Sequence, residues 1–301
     1  MNSRRNCMVK QVGILLIVLF LFGSAQAQTK ASDLIPKPVS CKDLPGFFEL
    51  QPGKSIYAPA EFSDAARLLA ELLQTGNKFT GNAKAASIIF IHEKDTKTGG
   101  IEGYNLNITP EKITIGATTL QGAIHGLFCL VHMQLLQPDK GKIPCAEIVD
   151  SPRFSYRGMH LDVSRNFFPV SFIKKYIDLM ALYKYNTFHW HLTDGPGWRL
   201  EIKKYPELTR VAAFRTHQTW TEWWKTARKY SSEGAPNAYG GYYTQAEAKE
   251  IVAYAARRGI TVIPEIEMPG HSEEVLAVYP ELSCSRSEER RVGKECRSRW
   301  S

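Results

Sequence analysis

A chain of 301 residues with 44% apolar side chains is long enough for about two domains, each with a substantial core. Its 38 basic and 30 acidic residues give a formal charge of +8, but the excess sits at the two ends. Setting aside Arg4, Arg5 and Lys10, and the six basic and three acidic residues of 286–301, leaves 29 basic and 27 acidic residues, or +2. Charge therefore gives no argument for a nucleic-acid partner.

Arg4, Arg5 and Lys10 precede an apolar run, Val12 to Gly23, that is too short for a comfortable membrane span, and Ala25-Gln26-Ala27 supplies small residues for cleavage. Residues 1–27 are expected to be a signal peptide, with the mature chain starting near Gln28. The protein is then exported, periplasmic or secreted, with no stable membrane anchor after cleavage. An uncleaved anchor is the bland alternative, and no Cys follows the apolar run to support a lipoprotein.

Leu34 to Val39 is extended by its two prolines. Ser63 to Thr75 predicts a helix with Ser63 as N-cap, Ser87 to Ile91 a buried strand, and Tyr104–Ile108 and Lys112–Ile115 two strands joined by a turn at Thr109 to Glu111. Thr119 to Leu135 is a second helix. Such a mixture predicts a small α+β domain whose expected task is to steady its neighbour. Outside the ends, Cys41, Cys129, Cys145 and Cys284 could pair after export, but no pairing is implied. Cys129, in an apolar helix, reads as a buried small residue.

Asp150-Ser151-Pro152-Arg153 marks a boundary, and strand and helix then alternate. Strands are expected at Tyr156–Val163, Thr187–Leu192 and Ile260–Glu267, and helices at Val170–Tyr183 and Gln245–Arg258. Thr244 caps the second of these helices and Gly259 stops it. Alternating βα units predict parallel strands with right-handed crossovers. A long, Trp-rich insertion, Val211 to Gly241, lies between the second strand and its following helix; loops of that length are usually functional or mobile.

Each strand ends in polar residues: Asp162-Val163-Ser164-Arg165, His191-Leu192-Thr193-Asp194, and Glu265-Ile266-Glu267-Met268-Pro269-Gly270-His271-Ser272. Any one of these groups would ordinarily be a cap or a surface ion pair, and Trp190 would ordinarily be core. Three in succession at the C-terminal ends of parallel strands are the usual setting of a barrel active site. Trp198, Trp220, Trp223 and Trp224 lie nearby in sequence, and aromatic faces beside carboxylates and a fork-shaped arginine suit a sugar.

The strings Arg157-Gly158-Met159-His160-Leu161-Asp162 with Arg165, His189-Trp190-His191-Leu192-Thr193-Asp194 with Trp198-Arg199, and Pro264-Glu265-Ile266-Glu267-Met268-Pro269-Gly270-His271 resemble the exo-β-N-acetylhexosaminidases of glycoside hydrolase family 20. The resemblance covers roughly Leu34 to Cys284. It implies an α/β chain: an α+β accessory domain over 28–150, then the first three βα units of an incomplete (β/α)8 TIM barrel over 151–285. It also implies a glycoside hydrolase without cofactor or metal, acting on N-acetylhexosamine-containing oligosaccharides or glycoconjugates. Arg165, Asp194 and His271 would serve the substrate. Arg165 would bond hydroxyls of the terminal sugar, and Asp194 with His271 would stand behind the catalytic acid. His191 and Glu265 would support them, with barrel packing an alternative for both.

The implied chemistry is substrate-assisted, with the sugar's own 2-acetamido oxygen as nucleophile and an Asp-Glu pair on a fourth strand end as orienting group and acid. No Asp-Glu dipeptide occurs in these 301 residues. Residues Arg286 to Ser301 resemble the conceptual translation of a sequencing adapter, so the natural reading frame is expected to be represented only to about Ser285. The polypeptide as written is expected to be an inactive fragment of an active enzyme. Two rivals stand beside this reading. One is a metal-dependent barrel hydrolase in which His189 and His191, on one strand face, are completed by Asp194, Glu265 and His271. The other is a glycan-binding protein without turnover.

Overall fold

A computed structural model describes residues 30–283. The expected signal peptide, Cys284 and the charged tail named above lie outside the described residues. Ten strands and three α-helices come before the first interruption of the βα rhythm. In chain order they are β1 (Ser40–Glu49), β2 (Ser55–Tyr57), α1 (Ser63–Leu73), β3 (Lys78–Phe79), β4 (Ile88–His92), β5 (Tyr104–Ile108), β6 (Ile113–Ala117), α2 (Leu120–Leu136), β7 (Lys142–Asp150), β8 (Gly158–Asp162), α3 (Val170–Leu182), β9 (Thr187–His191) and β10 (Thr193–Asp194). They are followed by β11 (Gly197–Trp198), α4 (Glu207–Arg210), β12 (Phe214–Arg215), α5 (Trp220–Lys225), β13 (Tyr239–Gly240), α6 (Gln245–Ala256), β14 (Thr261–Glu265) and α7 (Glu273–Val278).

Strands β1 to β7 form one seven-stranded sheet in the order β1-β7-β5-β6-β4-β2-β3. Helix α1 is amphipathic and lays Ala65, Ala66, Leu68, Leu69 and Leu73 into the core. Its N-cap is Phe62 rather than the expected Ser63, because a short 3-10 turn at Ala60–Phe62 runs straight into it. Helix α2 is apolar on every side, and residues 122–134 are buried throughout, as a helix without a polar face must be. It lies between this sheet and α3 of the following unit. Thr119 caps it by accepting from the Gly122 N–H at 3.1 Å. Cys129 is 2% exposed in its core, as expected of a small apolar residue.

Strands β8, β9 and β14 form a parallel three-stranded sheet with β9 in the middle. Helices α3 and α6 make the two crossovers, and both end where expected: Thr244 caps α6 through a capping box with Glu247, and Gly259 follows with a φ of +71°. Alternation along β9 sends Phe188 and Trp190 toward the helices, where Trp190 meets Tyr243 at a ring separation of 4.8 Å. Thr187, His189 and His191 face the other way. The buried core runs continuously from Ala31 to Ile260, so the two sheets share one apolar interior through α2 and α3. Among the described residues, no helix is long and apolar enough to cross a membrane.

Candidate functional site

The strand-end residues converge on Asp194. A two-residue turn, Gly195-Pro196, joins β10 to β11 and holds Asp194 opposite Gly197. Ser164, fully buried, places its hydroxyl 3.1 Å from the Asp194 carbonyl oxygen and 2.7 Å from that of Gly197. Arg199 is also fully buried. Its guanidinium donates to the carbonyls of Val163, Ala213, Gly241, Ser164 and Pro196, tying the hairpin to the end of β8 and to the insertion. This arginine is therefore a structural post; every donor it has is spent on backbone.

Arg165 arrives from the turn after β8. The Asp162 carboxylate accepts the N–H groups of Ser164 and Arg165, each at 2.9 Å, which folds the chain back at the strand end. Arg215, buried in β12, donates to the Arg165 carbonyl at 2.8 Å. So positioned, Arg165 Nη1 lies 2.5 Å from Asp162 Oδ2 and Nη2 lies 2.7 Å from Asp194 Oδ2. Its side chain remains 33% exposed, open to an incoming hydroxyl.

Two imidazoles meet the same carboxylate. His271 Nδ1 lies 3.4 Å from Asp194 Oδ1, and His191 Nε2 lies 3.5 Å from Oδ2, which is ion-pair range rather than a closed hydrogen bond. The Gly195 N–H donates to Oδ1 at 2.7 Å. His271 holds a left-handed φ of +54°, in a loop where Ser272 Oγ sits 3.2 Å and 3.0 Å from the carbonyls of Glu267 and Gly270. His191 Nδ1 is 2.7 Å from Glu265 Oε2. All five residues expected at the site from sequence, Arg165, Asp194, His271, His191 and Glu265, thus form one connected network.

Its electrostatics follow from those contacts. Burial raises Asp194, but His191, Arg165, His271 and the Gly195 amide outweigh it and hold the carboxyl below its usual range. Burial disfavours a charged His191, yet the Asp194 and Glu265 carboxylates push it to about 9. Glu267 is raised by its hydrogen bond to Glu265 and then by burial, and Glu265 is lowered because His191, Glu267 and His189 overcome its burial. Asp194 is consequently an anion that orients its neighbours, and not a proton donor near neutral pH.

The tryptophans divide. Trp198 and Trp223 are 5% and 0% exposed and belong to packing, not to a sugar platform. Trp220 and Trp224 stay 37% and 43% exposed, with the Arg228 guanidinium 4.1 Å from the Trp224 ring centroid. Tyr230 of the same insertion donates to the Gly195 carbonyl at 2.6 Å, and Arg228 pairs with Glu273 at 2.6 Å, so the insertion is fastened to the Asp194 turn.

Among the described residues, two groups bring three metal-ligating atoms within 4.8 Å of one another: His160, His189 and Glu265, and His191, Glu265 and Glu267. Asp194 and His271, expected in the metal reading, belong to neither. His160, Arg215, Glu267 and a buried carboxyl at Glu274 had not been singled out. His160 stood inside a quoted motif, and only the strand register shows what it faces.

The family model described as Glycosyl hydrolase family 20, domain 2, matches residues 31–151, and that described as Glycosyl hydrolase family 20, catalytic domain, matches residues 154–300. A beta-hexosaminidase of Porphyromonas gingivalis is 37% identical over 268 residues, covering 85% of this chain, and one of Vibrio furnissii is 39% identical over 251 residues, covering 82%. The chain spans only 32% and 39% of the length of these two relatives. Among solved structures, a beta-N-acetylhexosaminidase from Bacteroides fragilis aligns with a TM-score of 0.69 at 37% identity, over 83% of this chain and 48% of that one. A family 20 exo beta-N-acetylglucosaminidase from Vibrio harveyi, in complex with N-acetylglucosamine, aligns with a TM-score of 0.71 at 36% identity, over 86% and 39%.

Proposed function

The chain belongs to glycosyl hydrolase family 20, and from that premise we infer that its residues serve the removal of terminal, non-reducing N-acetylhexosamine from oligosaccharides or glycoconjugates. The observation that carries the reading is the convergence of Arg165, His191 and His271 on one buried carboxylate at the ends of consecutive parallel strands. Arg165, held by Asp162 and Asp194, presents a planar donor to ring hydroxyls. Asp194 lies 3.4 Å from the His271 imidazole, whose ring stays exposed, and the pair would stand behind the acid.

The reaction consistent with this family is retaining and substrate-assisted. The 2-acetamido oxygen attacks the anomeric carbon as the glycosidic oxygen leaves with a proton from the acid; water then opens the resulting oxazolinium ion and restores the acetamide. The 301 residues contain no Asp-Glu dipeptide to orient the acetamide and supply that proton. A polypeptide of this sequence is therefore expected to release no 4-nitrophenol from 4-nitrophenyl N-acetyl-β-glucosaminide above background. A longer protein that carries this region together with an Asp-Glu pair should turn the same substrate over with retention, followed by the anomeric proton signals. An inverted product, or no turnover by that longer protein, would overturn the reading.

Arg4, Arg5, Lys10, the run Val12–Gly23 and Ala25-Gln26-Ala27 support action after export. N-terminal sequencing of the mature protein should begin near Gln28.

A further inference from the structure

We propose that His160, His189 and Glu265 form a binding site for a divalent first-row transition metal ion, Zn2+ before the others, on the face of the β8-β9-β14 sheet turned away from the helices. Strand register builds it. In the parallel pairing, His160 stands opposite His189, and one row further along Asp162, His191 and Glu265 stand in line. Residues two apart share a face, and neighbouring strands lie about 4.8 Å apart, so the three imidazoles and the Glu265 carboxylate point into one space. The rings of His160 and His189 meet edge to face, 4.7 Å between centroids.

The donor set suits zinc. His160 Nε2, His189 Nε2 and Glu265 Oε2 all lie within 4.8 Å of one another. Glu265 Oε2 is 2.6 Å from His189 Nε2 and 3.9 Å from His160 Nε2. Tetrahedral zinc, with bonds of about 2.0–2.2 Å, separates its ligands by about 3.3 Å. Both gaps come within reach of that value through side-chain adjustments of under about 1 Å. Two imidazoles with one carboxylate favour zinc over the harder calcium and magnesium, which take oxygen ligands. His191 Nδ1, 2.7 Å from the same Glu265 oxygen, is placed as the outer partner that orients a ligating carboxylate. The three ligand side chains are 50%, 37% and 28% exposed. Binding requires a bare Nε2 on both imidazoles.

The second group, His191, Glu265 and Glu267, shares Glu265, so the two groups compete for one ion. His191 is already engaged with Asp194, which favours the first group.

Calorimetric titration of the untagged 301-residue chain with ZnCl2, and of Co2+ by its tetrahedral visible absorption, tests the assignment. One saturable site is expected, weakened at least tenfold by His160→Ala, by His189→Ala and by Glu265→Gln, and unchanged by His271→Ala. Circular dichroism checks that each variant is folded. A variant that fails this check is replaced by His160→Gln, a change on the exposed side of β8, with the same tenfold loss expected. Absence of saturable binding, or binding that survives His160→Ala together with His189→Ala, or binding lost with His191→Ala but kept with His160→Ala, overturns the proposal. Turnover has no part in the readout, so this site and the hexosaminidase reading stand or fall separately.

Discussion

Asp194 and Glu274 are both buried carboxyls, at 5% and 0% exposure, yet their surroundings drive them in opposite directions. Asp194 is met by Arg165, two imidazoles and a backbone amide, so its charge is compensated. Glu274, at the start of α7, has no hydrogen-bond partner at either oxygen among the described residues. The nearby Arg199 has its donors committed to five carbonyls and can offer only its field. Burial, then Asp194 and Glu273, push Glu274 up to about 8. A carboxyl whose pKa is raised in the fold binds a proton that the unfolded chain has already lost. Stability should therefore fall as pH rises from about 4.5 toward about 8, by up to about 1.4 kcal/mol per pH unit, and level off beyond. Glu274→Gln removes that titration. Its urea midpoint should gain on the parent steadily from pH 5 to pH 8; midpoints that move in parallel would show that Glu274 is not a buried neutral acid.

At the scale of elements, α2 approaches the sheet through glycine. A methyl group at Gly126 would sit 2.7 Å from Ile115 Cγ2 and 3.3 Å from Tyr104 Cδ2, both side-chain atoms. At Gly122 it would sit 2.3 Å from the carbonyl oxygen of Gly103, which is backbone. Alanine gains about 1 kcal/mol of helix propensity at either site. Side chains can yield and backbone cannot, so Gly126→Ala should cost about 1 kcal/mol net, and Gly122→Ala about 3 kcal/mol. Denaturation midpoints would give the ranking, and equal costs would mean that the close approach is not what holds α2. The helices and the parallel strands were legible because their periods are regular and their caps explicit. Strand β1 was not: Pro45-Gly46 interrupts its alternation, and its register with β7 slips between Asp43 and Phe47. Strand β7 carries Pro144 among residues buried on both faces, Ile143 to Ala146, so it shows neither alternation nor a turn signal.

The molecule as a whole is held by contacts that join residues remote in sequence, and these were beyond reach of pattern reading. The Asp194 network could be anticipated because strand ends of a βα array gather at one rim. His160 facing Glu265, Arg215 holding Arg165 and Arg228 reaching Glu273 depend on register and on the course of the insertion. So does the seam between the two sheets. Glu102, from the loop before β5, receives Arg157 through two donors at 2.8 Å and 3.0 Å, and His125 of α2 at 3.2 Å. Lys184 crosses the same seam to Asp150 at 2.5 Å and Tyr104 at 2.9 Å. Burial raises Glu102, but the bonds from His125 and Arg157 prevail and bring it down to about 2. Burial lowers His125, so its neutral ring works as a hydrogen-bond partner and Arg157 supplies the charge. Removing the carboxylate leaves a nearly buried guanidinium without its anion, a change that costs about 3 kcal/mol. Because the folded pKa is depressed, the contribution is complete above about 4.5 and disappears as pH falls toward about 2. Glu102→Gln should therefore lower the urea midpoint clearly at pH 7 and progressively less below pH 4. In a double-mutant cycle with Arg157→Met, the second change should cost far less than it does alone. Additive losses, or a penalty that persists undiminished in acid, would mean that the seam is held by α2 packing and not by this pair.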